Sequence, residues 1–304
     1  MCIRRMQMDW QNDVSFCEGG IVNPNEMVNL LSNDLELESI RDVLSARYEK
    51  MQTLFRDTAA DDEAWRQDGC GIANPRHYKD VLLEIPRGLF GEENDMWCGV
   101  NGILSRPDVG IDLPTWMQRR GVQPRQRIMV IAEVPQRARH GAGMLLLSSP
   151  WAFHSMEYRA LPKNRLIRSV IEAYMCEKNA VVYMTDCRKI YDGVGMAQRQ
   201  HEVSYRRILQ REIDLFGPTT IIGFGSKVLE ALCPDVVANS DEGFAHRVCH
   251  HPYETTYNGI RALFFAHPSS ANAATHNCVV SNIREENPGL SRDEALFRYY
   301  TNWN

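Results

Sequence analysis

The chain has 304 residues, of which 44% are apolar and 24% charged, the ordinary balance of a globular protein. Its formal net charge of −5 argues against a protein that coats nucleic acid through bulk positive charge, although an enzyme with a local basic face stays possible. No apolar run approaches the ~20 residues needed to cross a bilayer, and the first residues lack the apolar core of a signal peptide. We therefore expect a cytoplasmic protein without a membrane partner.

Residues 1–120 give a weak and mixed pattern. One helix is predicted from apolar residues at helical spacing, which are Leu37, Ile40, Leu44, Tyr48, Met51 and Phe55. No catalytic motif occurs in this part of the chain. We expect a mostly helical N-terminal addition of unknown role.

Residues 121–304 alternate short apolar runs with amphipathic helices. The runs RIMVIA (127–132), AVVYMT (180–185), TTIIGF (219–224) and RALFFA (261–266) predict strands. Helices are predicted at 164–178, with Asn164 as its cap, at 204–216, with Ser204 at its start, at 226–232 and at 291–303. This alternation predicts an α/β fold, a three-layer sandwich with a central, mostly parallel four-stranded sheet plus the helical N-terminal addition.

The residues that follow the predicted strands are polar and chemically versatile. Glu133 follows the first strand, Asp186 the second and His267 the fourth, while the third runs into the glycine turn GFGSK. Ligands of such sheets bind at the carboxyl ends of the strands. The sequence therefore predicts a site at this edge.

Patterns that would signal a metal or cofactor are incomplete. The nine cysteines are scattered without a C-x-x-C pair, which favours free thiols over disulfides or a zinc site. GFGSK lacks the spacing of a nucleotide-binding P-loop. His250 and His251 in HRVCHHP are adjacent and would point apart. We expect neither metal nor cofactor.

The strand-end motifs, in this order, resemble the uracil-DNA glycosylase superfamily over about residues 125–300. AEVPQ is similar to the family's first motif and matches it at Glu133 and Pro135. SSPWAFHS resembles the segment whose aromatic residue stacks on the extruded base, with Phe153 as the best match and Trp151 as its neighbour. AHPSSAN resembles the His-Pro-Ser motif, which makes His267 the catalytic histidine. The iron–sulfur cluster of the thermophile-type branch needs a close cysteine pair that this chain lacks.

The resemblance implies a DNA glycosylase that flips out a base and cuts its N-glycosidic bond. Glu133 would stabilise the positive charge on the sugar and position water. His267 would stabilise the departing base, and Pro268 would restrict its backbone to extended angles. The residues expected to contact DNA are Ser269, Ser270, Asn272, Ser148 and Ser149, with local positive charge from Arg137, Arg139, Arg188 and Lys189.

Asp186 departs from the family, whose base-reading residue at this point of VYMTDCRK is Asn. An ionised Asp and the C4 carbonyl of uracil are both electron-rich hydrogen-bond acceptors and would repel each other. The same Asp can accept a hydrogen bond from the C4 amino group of cytosine. A protonated Asp could also donate to N3 of cytosine. Since excision of ordinary cytosine would be lethal, we predict a modified cytosine in foreign, for example phage, DNA.

Three alternatives stay open. The chain could be a repair glycosylase for uracil or other deaminated bases, a non-catalytic nucleic-acid-binding module on the same fold, or an enzyme that releases bases from free nucleotides. The presence of both Glu133 and His267 speaks against the binding module. A monomer is the default expectation.

Overall fold

The computed structural model describes residues 8, 10–17, 20–34, 41–42, 44–45, 48–49, 83–86, 109–135, 144–153, 164–191, 196–238, 243–268 and 272–303. The helices are α1 (Trp10–Asp13), α2 (Pro24–Asp34), α3 (Arg165–Cys176), α4 (Met196–Phe216), α5 (Ser226–Leu232), α6 (Pro234–Ala238), α7 (Phe244–Val248), α8 (Ala273–Glu286) and α9 (Arg292–Thr301). The strands are β1 (Val14–Phe16), β2 (Leu83–Pro86), β3 (Val109–Asp112), β4 (Thr115–Arg119), β5 (Gln126–Ala132), β6 (Met144–Ser148), β7 (Ala180–Asp186), β8 (Ile190–Tyr191), β9 (Thr220–Phe224), β10 (Tyr253–Tyr257) and β11 (Ile260–Phe265).

The main sheet has seven strands in the order β1-β4-β7-β5-β9-β11-β10. Its inner strands β7, β5, β9 and β11 are mutually parallel, whereas β4 and β10 are joined to them antiparallel. The predicted α/β class is confirmed, but the four-stranded, mostly parallel sheet is wrong because edge strands extend it into a mixed sheet. Inner strands are covered on both faces and read as apolar runs, while β10 alternates between half-buried and exposed residues and reads like a loop.

Helices cover both faces of the inner strands. The Thr185 hydroxyl on β7 donates to Glu212 of α4, whereas the Phe265 ring on β11 contacts Tyr299 and Tyr300 of α9. The strand register puts Thr185 and Phe265 in successive rows, whose side chains point to opposite faces. Helices α4 and α9 therefore lie on opposite sides of the sheet.

A second sheet has four short strands in the order β2-β6-β3-β8. Strand β3 pairs parallel with β6 and antiparallel with β8, which follows β7 along the chain. None of these strands was predicted from the sequence, although β6 reads Met-Leu-Leu-Leu-Ser. The sheet fixes Asp112, the last residue of β3, whose backbone N–H donates to the Lys189 carbonyl at 2.8 Å.

The N-terminal part contributes strands as well as helices. Strand β4 pairs with β7 and β1 pairs with β4, so the predicted boundary at residue 120 runs through one sheet. The described residues between 41 and 49 are helical, and Leu44 and Tyr48 are buried there, as the apolar spacing predicted. The expected mostly helical addition is therefore mixed in the part that the structure describes.

One predicted helix start and one predicted cap bond differ from the structure. Helix α4 begins at Met196, eight residues before Ser204. Asn164 does cap α3 by position, but its side chain makes no cap bond; its Nδ2 donates instead to the Trp151 carbonyl at 3.4 Å. Within the described ranges, no helix is long and apolar enough to cross a membrane.

Candidate active site

The carboxyl ends of the inner strands form one row across the sheet. Asp186 pairs with Ala132, and Phe224 pairs with Phe265, with β5 and β9 aligned between them. Neighbouring strands lie about 4.8 Å apart, so the row spans about 15 Å. Because the chain passes from β5 to β7 on one side and then crosses to β9 on the other, this edge also holds a topological switch point.

Trp151 and His267 lie together at the β9 and β11 end of this row. Their rings stack with centroids 5.8 Å apart and an interplanar angle of 27°. Trp151 also meets the Phe224 ring edge-on at 5.6 Å. Its backbone is left-handed, with φ 53° and ψ 15°, which is a strained conformation for a bulky residue. The structure therefore holds Trp151 against the predicted catalytic histidine.

The segment that carries His267 is fixed by the C-terminal helix. The Tyr300 hydroxyl donates to the Ala266 carbonyl at 2.8 Å, and the Ala266 N–H donates to the Tyr299 hydroxyl at 3.3 Å. The His276 ring bonds Tyr300 at 3.1 Å and also the backbone of His267. Burial, with a smaller effect from His276, lowers the pKa of His267 to about 4. At neutral pH His267 is therefore an uncharged imidazole.

Phe153 is enclosed by other aromatic rings. Its side chain is fully buried, with ring centroids 5.9 Å from Trp10 and 6.5 Å from Trp151. Trp151 is only partly buried. Sequence similarity favoured Phe153 over its neighbour, but the positive φ that turns Trp151 toward His267 is a feature that no sequence motif shows.

Glu133 and Arg188 form an ion pair beside the row. Glu133 Oε1 lies 3.1 Å from Arg188 Nη1, with 36% and 24% of these side chains exposed. The Glu133 carbonyl accepts from the Arg188 N–H at 3.2 Å and from the Cys187 thiol at 3.3 Å. The pair is thus fixed at the ends of β5 and β7, and the carboxylate keeps a solvent-facing side.

Asp186 belongs to a buried polar cluster. Its N–H donates to Asp112 Oδ2 at 2.9 Å, and its Oδ2 is a buried acceptor that has no donor among the described residues. Lys189 Nζ donates to Asp112 Oδ2 at 2.9 Å, to both Glu212 oxygens at 2.9 and 2.8 Å, and to Thr185 Oγ1. Burial and the Asp112 charge raise the pKa of Asp186 well above its ordinary value.

The same cluster sets the charge of Glu212 and Lys189. Burial raises the pKa of Glu212 to about 7, although the hydrogen-bonded Lys189 opposes this shift. The two carboxylates Asp112 and Glu212 raise the pKa of Lys189 despite its burial, so the ammonium stays charged. Lys189 is fully buried, and the expectation that it adds positive charge to a DNA-binding surface is wrong.

The predicted DNA contacts have mixed outcomes. Ser149 is fully buried at the turn that starts with Pro150, which does not fit a contact with a backbone phosphate. Asn272 is partly exposed and precedes the first residue of α8, close in sequence to His267. Ser269, Ser270, Arg137 and Arg139, and the side chain of Ser148, lie outside the described residues.

Arg188 lines a cavity of about 160 Å³ with other paired charges. Arg206 bonds Glu202 at 2.7 Å and Lys227 bonds Glu230 at 2.7 Å, as Arg188 bonds Glu133. The cations around this cavity are therefore matched by carboxylates. This part of the edge does not present the net positive charge that we expected from Arg188.

A metal site is not formed by the described residues. No group of three or more His, Cys, Asp or Glu side chains among them could hold an ion. His250 and His251 line a separate cavity of about 210 Å³, with Glu285, Glu286 and Arg298 among its other residues.

Asp112 and Glu212 are the residues that sequence reasoning missed. Glu212 interrupts the apolar stripe of α4, where its neighbours on the same face are Tyr205, Ile208, Leu209, Ile213 and Phe216, all buried. A carboxylate in an apolar stripe is a signal that could have been used. Asp112 ends β3, a strand of four residues that is too short to give a pattern.

Comparisons with known proteins leave the family open. No protein-family model matches this chain, and no curated protein matches it. The resemblance to uracil-DNA glycosylases stays a prediction from the quoted motifs.

Proposed function

We propose that this chain is a DNA glycosylase that extrudes a modified cytosine from foreign DNA and hydrolyses its N-glycosidic bond, leaving an abasic site. The observation that carries the proposal is the position of Asp186, a buried carboxyl group with a raised pKa at the carboxyl end of an inner strand. His267, Trp151 and Glu133 at the same edge supply the remaining groups that the chemistry needs.

Asp186 is suited to reading the C4 amino group of cytosine. A carboxyl oxygen accepts from an amino group, whereas the C4 carbonyl of uracil has no hydrogen to donate. With uracil, the acceptor oxygen of Asp186 would face another acceptor, and this contact would be most costly in a buried site, where electrostatic interactions are least screened. Asp186 is 1% exposed, so this selection would take place away from bulk water.

His267 is suited to stabilising the leaving base as a neutral hydrogen-bond donor. When the N-glycosidic bond breaks, its electron pair stays on the base, and negative charge spreads to O2 and N3. A pKa of about 4 keeps the imidazole uncharged near pH 7. A neutral imidazole can donate its N–H to that oxygen without losing its proton. Tyr300 and His276 hold this histidine in place through Ala266 and the His267 backbone.

Glu133 is suited to the sugar side of the reaction. The sugar carbon gains positive charge as the bond breaks, and a nearby carboxylate stabilises such a cation and orients water. Arg188 fixes the position of this carboxylate through the 3.1 Å contact. The water adds its oxygen to the sugar carbon, and its proton leaves through Glu133.

Trp151, rather than Phe153, is proposed to stack on the flipped base. Phe153 is fully buried, whereas Trp151 is only partly buried and lies beside His267. Stacking of one base on an aromatic ring is worth about 1–3 kcal/mol. Phe153 and Trp10 would then support the stacking residue from behind.

The biological setting follows from base choice. An enzyme that removed ordinary cytosine would damage the genome of its own cell, so a 5-substituted or glycosylated cytosine of phage DNA is the proposed target. We further propose that the chain acts as a monomer in the cytoplasm.

The test uses duplex and single-stranded oligonucleotides with one labelled base each: uracil, cytosine, 5-methylcytosine, 5-hydroxymethylcytosine or its glucosylated forms. Alkali reveals abasic sites. We expect cleavage at a modified cytosine and none at uracil. His267→Asn and Glu133→Gln should abolish it, whereas the matched controls His250→Asn and Glu230→Gln, both at exposed positions, should not.

Two other outcomes would replace the proposal. Cleavage at uracil alone would leave a repair glycosylase and remove the argument from Asp186. DNA binding without any abasic product would leave a nucleic-acid-binding module; the ion pair of Glu133 and the ring contact of His267 fit that reading, since both side chains are engaged.

A further inference from the structure

Three carboxyl groups and one ammonium group are enclosed together behind the candidate base-reading residue. Asp112, Asp186, Glu212 and Lys189 are each at most 1% exposed. If all three carboxyl groups were ionised, the cluster would carry two uncompensated negative charges away from water, which is costly. At least one carboxyl group must therefore hold a proton.

The hydrogen bonds indicate where that proton lies. Lys189 donates to both oxygens of Glu212, so Glu212 is well supplied with donors. Asp112 Oδ2 also has donors, because it accepts from the Asp186 N–H and from Lys189 Nζ. By contrast, Asp112 Oδ1 and Asp186 Oδ2 are buried acceptors that have no donor among the described residues.

The two acceptors without a donor belong to residues that are in direct contact. The Asp186 N–H lies 2.9 Å from Asp112 Oδ2, which brings the two carboxyl groups to the same buried cluster. Two carboxylate oxygens repel, but one proton between them gives a donor to one and an acceptor to the other. Buried polar atoms in folded proteins are nearly always satisfied in this way.

We propose that Asp112 and Asp186 share one proton, and that Asp112 is the positioning residue that fixes the orientation and charge of Asp186. The shared proton occupies one oxygen of Asp186, so the other oxygen is left as an acceptor for an amino group. Its consequence for base choice rests on the proposed function, because the amino group is that of a cytosine-type base. Three charged groups act on Asp186: Asp112 on β3, Glu212 on α4 and Lys189 in the turn after β7. The Cys187 thiol is adjacent.

The raised pKa of Asp186 agrees with this arrangement, since burial and the Asp112 charge both favour its protonated form. Lys189 anchors the Asp112 side of the pair. This gives the buried lysine a role beyond stability, because it keeps Asp112 as the partner that accepts.

The experiment is proton NMR of the full chain at pH 7. A proton shared by two carboxyl groups resonates far downfield of amide protons, unlike a carboxyl proton that meets water or an amide. We expect such a resonance in the wild type and its loss in both Asp112→Asn and Asp186→Asn. Asp112→Asn is charge-balanced, since Lys189 keeps Glu212 as its partner. The resonance should persist in the matched control Glu212→Gln.

The absence of a downfield resonance in the folded wild type, or its persistence in either Asp variant, would overturn the proposal. If Asp112→Asn does not fold, the wild-type and Asp186→Asn spectra still decide, because the downfield position requires a carboxylate partner. The oligonucleotide assay on the same samples separates the two proposals. A resonance without base excision would remove the glycosylase and keep the shared proton, whereas excision without a resonance would do the reverse.

Discussion

The buried ammonium of Lys189 gives the sharpest prediction of stability. Lys189→Met keeps most of the aliphatic volume but leaves Asp112 and Glu212 without the cation that contacts them at 2.8–2.9 Å. Breaking a buried ion pair by removing one partner typically costs ~3–5 kcal/mol. We therefore expect the free energy of unfolding to fall by about 3–5 kcal/mol, a large part of the ~5–15 kcal/mol of an ordinary domain.

The measurement is urea unfolding at pH 7, followed by tryptophan fluorescence. The control is Lys227→Met, because Lys227 is 45% exposed and pairs with Glu230 one helical turn away. An exposed pair of this kind is worth at most about 0.5 kcal/mol. Adding Glu212→Gln to Lys189→Met should restore part of the loss, since one buried carboxylate is then removed. A loss below about 1 kcal/mol for Lys189→Met would refute the reasoning.

Three further predictions concern stability at other positions. Between about pH 6.5 and about pH 4, His267 is protonated in the unfolded chain but not in the folded chain. The free energy of unfolding should therefore decrease by at most about 3 kcal/mol as the pH is lowered through this window. His267→Asn should remove that pH dependence in urea titrations. Gly223→Ala would place a Cβ 2.6 Å from the buried Phe264 ring and should cost ~1–3 kcal/mol by thermal unfolding, whereas Gly289→Ala meets nothing within 4 Å and should be neutral. Ser291→Ala removes the bond that the Ser291 hydroxyl accepts from the Glu294 N–H at the start of α9 but keeps the bond from the Ser291 N–H to the Glu294 side chain; it should cost ~1 kcal/mol by urea unfolding, with no loss if the cap is dispensable.

The sequence predicted the inner sheet well because its strands are buried on both faces. Strand β7 is buried at every residue and reads as a continuous apolar run, and the polar residue that ends it is easy to see. The outer strands were not predicted in this way. Strand β4 supplies Trp116, which is fully buried and stacks on Tyr183, yet β4 has only two apolar residues among its five and gave no strand pattern.

The candidate site was predictable only as far as local sequence fixes it. Asp186 and His267 follow apolar runs, so their place at one edge could be foreseen. The burial of Phe153 and Ser149 could not, because it depends on the N-terminal Trp10 and on a backbone turn. The partnership of Asp112 with Lys189 joins residues 77 positions apart, and no local pattern carries such a contact.

The strand order has a consequence for how the chain folds. Strand β5 lies between β7 and β9, and β9 pairs with β11 on its other side. The inner part of the sheet, whose carboxyl ends form the candidate site, is therefore complete only when residue 265, the end of β11, has been synthesised. Pairings this distant in sequence form slowly, because the chain between them must be ordered first. A nascent chain that has been synthesised only as far as β7 would expose an apolar strand with one side unpaired. We therefore expect refolding to be slow, and a partly synthesised chain to be a better substrate for chaperones than the finished protein.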